Sequence, residues 1–229
     1  MNTTRISLMN VSMSREMFGQ DRKRHTNSVV NKVNLEIRSG DRIGLIGRNG
    51  AGKTTLLRLI SGIFSPDQGE MKLEGQIKSF LDLGYGLEMH LTGRANAYSR
   101  SILDGVPKSQ RAEFVSWVEN FSELGDYFDR TLNSYSTGMV ARLVFSMCTH
   151  KTPEILLIDE GIGTVDAYFQ EKALARLNDI YSNSSILVIA THDQSLMRQL
   201  CTRGIVVNNG NIDFDGTISD ALDFYHSAK

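Results

Sequence analysis

Cysteine is scarce in this 229-residue sequence, which contains only Cys148 and Cys201. The two lie far apart and outside any Cys-x-x-Cys or Cys/His spacing, so we expect apolar thiols rather than a disulfide or a metal site. Long apolar runs are also absent, since none approaches the roughly 20 residues that cross a bilayer. The N-terminal residues MNTTRISLMN lack the apolar core of a secretory signal. These absences favour a soluble protein made in the cytosol.

The sequence also lacks a large excess of positive or negative charge, because its formal net charge is −1. This balance gives no indication of nucleic acid or an anionic membrane surface as a partner. The one basic cluster, Arg22, Lys23 and Arg24 followed by His25, is more typical of a solvated loop than of a binding patch. Hydrophobic residues make up 41% and charged residues 22%, as expected for a globular domain.

Strand patterns dominate the first third of the chain. Apolar and polar residues alternate over 6–8 and 33–37, as in half-buried strands. The polar stretch 12–27 between them predicts a loop over the edge of a sheet. The apolar run 43–46 suits a strand covered on both faces, and residues 54–60 suit a helix.

Helical patterns replace strand patterns from about Thr92 to His150. Apolar residues recur every three or four positions over 114–124 and again over 140–147, each set forming one stripe. The aromatic side chains of the first stripe are read as core packing. The segment 92–150 is therefore predicted to be a helical subdomain inserted into a single domain that spans 1–229.

Strand patterns return after the helical segment. The short β-branched runs 155–158 and 186–190 are typical of central parallel strands, with a helix between them around 174–180. Residues 205–212 predict a hairpin, because Asn-Gly favours the positive φ angles of a type I′ turn. The fold class is therefore predicted to be α/β, with a mostly parallel central sheet, an antiparallel β edge and a helical insertion.

One segment fits the P-loop pattern G-x-x-x-x-G-K-[ST] and lies between the apolar strand and the amphipathic helix that this motif requires. Its residues are Gly47, Arg48, Asn49, Gly50, Ala51, Gly52, Lys53 and Thr54, followed by Thr55. The glycines let successive backbone N–H groups point inward as an anion nest, beside the positive end of the helix. Lys53 can reach the β- and γ-phosphates of ATP, and the Thr54 hydroxyl can bind Mg²⁺. A Gly-rich turn alone often marks only a tight corner, but Lys-Thr at this offset favours a phosphate site.

Two acidic residues follow the buried strand 155–158. Asp159 ends a strand that we expect beside the P-loop strand, where it can hold Mg²⁺ through the metal's water shell. Glu160, one residue further on, is the candidate to orient and deprotonate the attacking water. A strand running into an ordinary acidic loop is the alternative, which the preceding P-loop makes less attractive.

His192 follows the central strand 186–190 at the sheet edge where ligands bind in such folds. A hydrogen bond from His192 to the γ-phosphate would distinguish ATP from ADP. A single histidine is more often structural than catalytic, so this role depends on the other two motifs.

The segment Tyr135-Ser136-Thr137-Gly138-Met139 precedes a predicted helix and is similar to the signature loop of ABC-transporter ATPases. A Ser hydroxyl, small residues and a helix N-terminus form an anion-binding surface. The resemblance implies that Ser136 and Gly138 contact, in trans, the γ-phosphate held by Lys53 of a second copy. It further implies a RecA-like core, ATP and Mg²⁺ as cofactors, and a dimer with two sandwiched nucleotides. Asp166, within Gly163-Thr164-Val165-Asp166, matches the acidic residue of the family's interface loop.

The signature narrows the resemblance to bacterial polysaccharide exporters, which serve O-antigen, capsule and, more distantly, teichoic acid export. The segments 81–94 and 119–126 resemble the same exporters. Two departures stand out: no Gln occurs between Lys78 and Leu91, where the family has one, and no aromatic residue is obvious for stacking on adenine. Phe18 is the nearest candidate for that stacking.

The resemblance implies an ATPase that drives export of a lipid-linked polysaccharide from the cytoplasmic face of the bacterial inner membrane. Its partners would be a second copy of itself and two integral-membrane permease subunits. By analogy with the family, we expect the permease subunits to dock in the groove between the sheet lobe and the helical lobe. After Gly216 we expect only a short helix and no appended carbohydrate-binding domain. Recognition of the polymer's end would then come from elsewhere or be absent.

Alternative functions stay open at this point. The chain could drive export of another substrate. It could instead be a soluble ABC ATPase acting on nucleic acid or ribosomes, although it lacks the coiled coils, the second ATPase domain or the basic surface usual there. A regulator that binds ATP without turnover is disfavoured by the presence of Lys53, Asp159, Glu160 and His192.

Overall fold

The computed structural model describes residues 4–18, 24–81, 84, 86–159 and 167–228. The chain divides into two compact units. The first unit comprises Met1–Leu81, Pro153–Gly161 and Ser184–Lys229, and the second comprises Asp82–Thr152 and Ile162–Asn183. The predicted helical insertion, 92–150, falls within the second unit, and its bounds as a subdomain remain a prediction.

Strands predominate up to residue 80, helices follow up to residue 149, and the two types largely alternate from residue 155 onward. The strands are β1 (Arg5–Phe18), β2 (Arg24–Arg38), β3 (Arg42–Ile46), β4 (Gln68–Glu74), β5 (Ile77–Phe80), β6 (Ile155–Asp159), β7 (Ile186–Ala190), β8 (Arg203–Asn208) and β9 (Asn211–Thr217). The helices are α1 (Lys53–Ile60), α2 (Gly93–Leu103), α3 (Arg111–Ser122), α4 (Thr137–Thr149), α5 (Ala167–Asn183), α6 (Gln194–Leu200) and α7 (Ile218–Ser227).

The first unit is built on a six-stranded sheet in the order β5-β6-β7-β3-β8-β9. All neighbouring strands in it are parallel except β8 and β9, which form an antiparallel edge. The central strands are buried on both faces, which explains their continuous apolar runs. The predicted α/β class, with a mostly parallel sheet and an antiparallel edge, is confirmed.

A second, antiparallel sheet in the same unit has the order β2-β1-β4. Its strands correct the prediction of a loop over 12–27, because β1 extends to Phe18 and β2 begins at Arg24. The backbones of these two strands pair from Arg5↔Arg38 to Phe18↔Arg24. Cross-strand hydrogen bonds between backbones need no apolar side chain, so the ribbon continues beyond the residues that the core covers. Arg22 and Lys23 of the basic cluster lie outside the described residues.

The core of the first unit lies between the two sheets and α1. Leu56, Leu57, Leu59 and Ile60 of α1 are at most 1% exposed and belong to the same apolar cluster as residues of β1, β2, β3 and β6. Burying each such side chain stabilises the fold by about 1.5–3 kcal/mol relative to leaving it exposed. This packing fixes the start of α1, and therefore the end of the P-loop, against the sheet.

The turn between β8 and β9 has the predicted conformation. Asn209 and Gly210 have φ angles of +46° and +79°, both positive as in a type I′ turn. The sequence Asn-Gly therefore fixes the hairpin, as expected.

The second unit is helical, with three short 3₁₀ turns at Lys108–Gln110, Gly125–Asp129 and Leu132–Ser134. Aromatic rings connect its helices: Trp117 stacks on Phe121 at 4.7 Å between centroids, and Phe121 meets the ring of Phe169 edge-on at 5.7 Å. Phe169 is fully buried beside Phe145. The aromatic stripe of α3 is thus core packing, as the sequence predicted.

Candidate active site

The P-loop connects β3 to α1 and is confined by the strands beside it. A Cβ atom added at Gly47 would lie 2.3 Å from the backbone oxygen of Val207, and one added at Gly52 would lie 2.7 Å from that of Val29. Gly52 also has a φ of +110°, a conformation that strains any residue with a side chain. Close backbone approach therefore requires glycine at both positions, and at Gly52 the dihedral angle requires it as well.

Lys53, the first residue of α1, folds back over this loop. Its ammonium group donates hydrogen bonds to the carbonyl oxygens of Gly47 at 2.7 Å and Arg48 at 3.0 Å. The ammonium is thus held at the loop, where a phosphate oxygen can replace a carbonyl oxygen as acceptor. Gly52 stands at the N-cap of α1 and supplies no side-chain bond to the first N–H groups of the helix. The N–H groups at the start of α1 can therefore bind an anion.

A cleft with a volume of about 650 Å³ opens beside the loop. It is lined by Arg15, Asn27, Val29, Asn49, Gly50, Gly52, Lys53, Thr54, Thr55 and Asp159. Seven of these ten residues were predicted from the sequence as nucleotide-binding. Arg48, also predicted, lines a different and smaller pocket of about 210 Å³ together with Phe224 and Tyr225 of α7.

Asp159 is the last residue of β6 and lies in the cleft with Thr54. The prediction that its strand is adjacent to the P-loop strand is wrong, because β7 lies between β6 and β3. Strand order is set by the crossover connections, which local sequence does not specify. Since all three strands are parallel, their carboxyl ends still meet at one edge, and Asp159 reaches the cleft from there.

Thr54 and Asp159 supply the kind of donors that Mg²⁺ prefers, a hydroxyl and a carboxylate oxygen. Among the residues that the structure describes, no group of three or more His, Cys, Asp or Glu side chains could hold a metal. A site with few protein ligands fits Mg²⁺, which is usually bound through one or two carboxylates plus substrate phosphates and water.

His192 lies in the loop that follows β7 and is exposed, and it does not line the cleft. Its neighbour Asp193 caps α6, with a carboxylate oxygen accepting from the backbone N–H groups of Ser195 at 2.9 Å and Leu196 at 3.1 Å. This cap fixes the backbone of the loop at the carboxyl end of β7. The structure thus places His192 at the same sheet edge as Asp159, without bringing the two side chains into one cleft.

Ser136 belongs to the second unit and caps α4. Its hydroxyl oxygen accepts a hydrogen bond from the N–H of Met139 at 3.2 Å, and its side chain remains exposed. Gly138 lies in the first turn of the same helix. The two residues therefore sit together at one helix N-terminus, as the sequence predicted.

Tyr135 positions this helix start. Its hydroxyl donates to the carbonyl oxygen of Tyr127 at 2.7 Å, and a Cβ atom at Gly93 would lie 2.4 Å from that hydroxyl. Burial raises the pKa of Tyr135 to about 12, so the hydroxyl stays protonated and remains a donor. The residue before the signature serine is thus fixed to α2 and to a 3₁₀ turn.

Two predicted site residues, Glu160 and Asp166, lie outside the described residues. The side chain of Phe18, the candidate for stacking on adenine, is likewise outside them. Their roles stay predictions.

Three residues that line the cleft were missed by sequence reasoning: Arg15, Asn27 and Val29. Arg15 and Asn27 are directly paired across β1 and β2. Both fall in the segment predicted as a loop, and no local pattern indicates that a polar ribbon folds back against a P-loop some 20 residues further along. Only the long-range pairing reveals them.

Both cysteines are buried, and neither forms a disulfide. Burial raises the pKa of the Cys201 thiol to about 12, so this group is a neutral apolar filler at physiological pH. Of the helices in the described part of the chain, none is long and apolar enough to cross a membrane.

Comparisons with known proteins agree with this fold and site. A family model described as "ABC transporter" matches residues 30–163. The O-antigen export system ATP-binding protein RfbE of Yersinia enterocolitica is 40% identical over 208 residues, covering 91% of this chain and 87% of that protein. The teichoic acids export ATP-binding protein TagH of Listeria monocytogenes serotype 4b (strain F2365) is 32% identical over 193 residues. This match covers 84% of the chain and 57% of TagH.

A solved structure shows the same fold. It is the dimeric post-hydrolysis state of the ATP-binding cassette MJ0796 bound to ADP and Pi, with a TM-score of 0.70 and 21% identity. The alignment covers 93% of this chain and 98% of that one.

Fold and site together define a P-loop ATPase with a nucleotide cleft at the carboxyl edge of a parallel sheet. The chain belongs to the ABC transporter family, and within it to the ATP-binding, ATP-hydrolysing subunits. The resemblance deduced from the signature loop is thereby confirmed.

Proposed function

We propose that this chain is the ATPase subunit of an exporter that moves a lipid-linked polysaccharide, of the O-antigen or capsule type, across the bacterial inner membrane. The observation that carries the proposal is the 40% identity to an O-antigen export ATP-binding protein over 91% of this chain. The likeness to a teichoic acid export protein supports the same class of cargo, an extended polymer carried on a lipid.

In this proposal the cleft binds the triphosphate of ATP. Lys53 exchanges its carbonyl partners for β- and γ-phosphate oxygens, and the N–H groups at the start of α1 hold the phosphate chain. Thr54 and Asp159 hold Mg²⁺, Asp159 through a bound water, and the metal would neutralise charge on the phosphates. Both side chains lie in the cleft, which supports this pairing.

Glu160 follows Asp159 directly and is proposed to orient and deprotonate the attacking water. A positioned general base contributes about 10²–10⁴-fold in rate. His192, one strand further along the same sheet edge, is proposed to contact the γ-phosphate. Because its side chain does not line the cleft, this contact would require the His192 side chain to move toward the bound nucleotide.

Each nucleotide site is proposed to be completed by a second copy of the chain. Ser136 and Gly138 present an exposed hydroxyl and a helix N-terminus, which together suit a γ-phosphate. Asp166 is proposed to line the interface between the copies. The dimeric cassette whose fold this chain shares supports such an assembly.

The second unit carries a surface suited to two membrane-embedded permease subunits. Within residues 89–127 of this unit, six large apolar side chains are between 39% and 53% exposed: Met89, Leu91, Tyr98, Ile102, Leu103 and Tyr127. Tyr98 and Ile102 are four residues apart on α2 and therefore share one face of that helix. Exposed apolar groups so close in sequence suit contact with another protein. We propose that contact with the permease subunits through this surface holds the chain at the cytoplasmic face of the membrane.

Deletion of the gene in its native host tests the proposal. We expect surface polysaccharide to disappear and lipid-linked polymer to accumulate inside the cell. The wild-type chain and a Lys72→Ala control, changed at an exposed lysine of β4, should restore export, whereas Lys53→Ala should not. Affinity purification of the full chain in mild detergent should also recover a polytopic membrane protein. Normal surface polysaccharide in the deletion strain would contradict the proposed cargo.

A further inference from the structure

One part of the wall of the cleft comes from the first two strands. Arg15 on β1 and Asn27 on β2 are directly paired, and both line the cleft together with Val29. The other lining residues belong to the P-loop, to α1 and to the end of β6. When the phosphates of a nucleotide bind to the P-loop and the start of α1, the ribose and base can lie against the wall formed by β1 and β2.

This wall is fixed in place by backbone contacts. The carbonyl oxygen of Val29 lies against Gly52, where only a glycine leaves room for it. The N–H of Asn31 donates to the oxygen of Gly210 at 2.8 Å, and the N–H of Gly210 donates to the oxygen of Ala51 at 2.9 Å. Backbone hydrogen bonds and close packing therefore connect the β1–β2 ribbon, the β8–β9 turn and the P-loop. As a result, the wall keeps a defined distance from the phosphate-binding loop.

The exposed Arg15 side chain is supported by an aromatic ring. Its guanidinium carbon lies 5.5 Å from the ring centroid of Phe64, within range of a cation–π contact. Arg58 approaches the same ring at 5.7 Å but does not line the cleft. Among the described residues that line the cleft, none is aromatic. Of the described residues that line the cleft, Arg15 offers a delocalised planar group on which a base can stack.

We propose that the guanidinium of Arg15 stacks on the nucleobase of bound ATP, with Phe64 orienting it from behind. A guanidinium is planar and delocalised and stacks on aromatic faces, nucleobases included. The inference deepens the proposed function, since it depends on a nucleoside triphosphate occupying the cleft. Because every base presents a π face, stacking of this kind accepts adenine and guanine alike. ATP and GTP should therefore bind with similar affinity.

Arg15 could instead contact a phosphate through its charge, and two substitutions separate these roles. Arg15→Phe keeps a planar face and removes the charge, whereas Arg15→Lys keeps the charge and removes the plane. Stacking predicts that Arg15→Phe retains ATP affinity and Arg15→Lys loses it. Retention by Arg15→Lys and loss by Arg15→Phe would overturn the proposal in favour of a phosphate contact.

The test is calorimetric titration of the full chain with two probes, ATP and inorganic tripolyphosphate, which has no base. We expect Arg15→Ala to weaken ATP binding roughly tenfold, the size of one base–side-chain stack, and to leave tripolyphosphate binding unchanged. Arg58→Ala, which removes the other cation from the Phe64 ring, should change neither. An unchanged ATP affinity in Arg15→Ala, or equal losses for both probes, would overturn the inference. If the wild-type chain bound neither probe, the P-loop assignment itself would fail, a result distinct from these.

Discussion

At the scale of single residues, Glu160 has the most demanding role, because it is proposed to take a proton from the attacking water while leaving ATP binding intact. Glu160→Gln removes the base and keeps the size of the side chain. We expect ATP affinity to be retained and turnover to fall by about 10²–10⁴-fold, the usual contribution of a general base. Steady-state phosphate release and equilibrium ATP binding measure the two quantities separately.

A matched control for this change is Glu171→Gln, since Glu171 is exposed on α5 and away from every proposed role. That variant should hydrolyse ATP at the wild-type rate. Undiminished turnover in Glu160→Gln would show that another group activates the water.

At the scale of elements, the P-loop depends on Gly52, whose φ is +110° and whose hydrogen faces the carbonyl of Val29. Gly52→Ala brings a methyl group within 2.7 Å of that oxygen, so the loop or β2 must move. We expect a loss of ATP binding of at least about tenfold, because shifts of this size displace the N–H groups that hold the phosphates. Fluorescence titration with ATP measures this loss.

Gly40→Ala serves as the control for backbone strain. Gly40 has a similar φ of +96°, but a Cβ atom there meets nothing within 4 Å. This variant should be slightly less stable and should bind ATP normally. Equal ATP affinities for the Gly52 and Gly40 variants would contradict the close-approach explanation.

The second unit contains an ionic network that should make its stability depend on pH. Arg94 on α2 binds Glu119 on α3 and Asp129 in a 3₁₀ turn, with its Nε 2.7 Å from an Asp129 oxygen. The Arg94 guanidinium lowers the pKa of Asp129 below its ordinary value near 3.8. A carboxyl whose pKa is depressed by folding stabilises the native state above its unfolded pKa and loses that contribution as pH falls through the folded pKa.

Asp129→Asn should therefore lower the melting temperature modestly at pH 7, because the carboxylate is largely exposed and screened by solvent. The difference from wild type should begin to shrink below about pH 4, near the unfolded pKa, and should fade as pH falls through the lower pKa of the folded wild-type carboxyl. Thermal melts between pH 3 and pH 7 measure it. A difference that stayed constant across this range would rule out the charge as its cause.

Sequence patterns predicted those elements whose signals are local. The strand–turn–helix of the P-loop, the Asn209-Gly210 hairpin and the aromatic core of α3 all follow from spacing and turn chemistry. Long-range features could not be predicted from local sequence patterns. The polar ribbon of β1 and β2 depends on pairing between strands, and the position of β7 between β6 and β3 depends on how the chain crosses over the sheet. Arg15 was missed because it lies on the β1–β2 ribbon, which only the long-range strand pairing reveals.

At the scale of the whole molecule, one chain is proposed to be half of a working enzyme. Lys53 and Asp159 belong to one compact unit and Ser136 to the other, so both halves of the proposed composite site are encoded in every copy. Two identical copies related by a two-fold axis would then form two identical sites. This arrangement explains why a helix N-terminus with an exposed serine accompanies a P-loop in the same sequence.

Complementation between two inactive variants tests this central claim most directly. Lys53→Ala destroys the phosphate-binding half of each site, and Ser136→Arg blocks the completing half. Mixed dimers of the two contain one intact site if Ser136 acts in trans, and none if it acts in cis. Mixing wild-type with Lys53→Ala chains also leaves one intact site per mixed dimer and so measures what a single site supplies. We predict that the mixed variants regain ATP hydrolysis, roughly a quarter of the wild-type rate if subunits exchange freely and sites act independently. If the mixture of Lys53→Ala and Ser136→Arg chains shows only background hydrolysis while the control mixture is active, Ser136 does not complete the site of a partner chain.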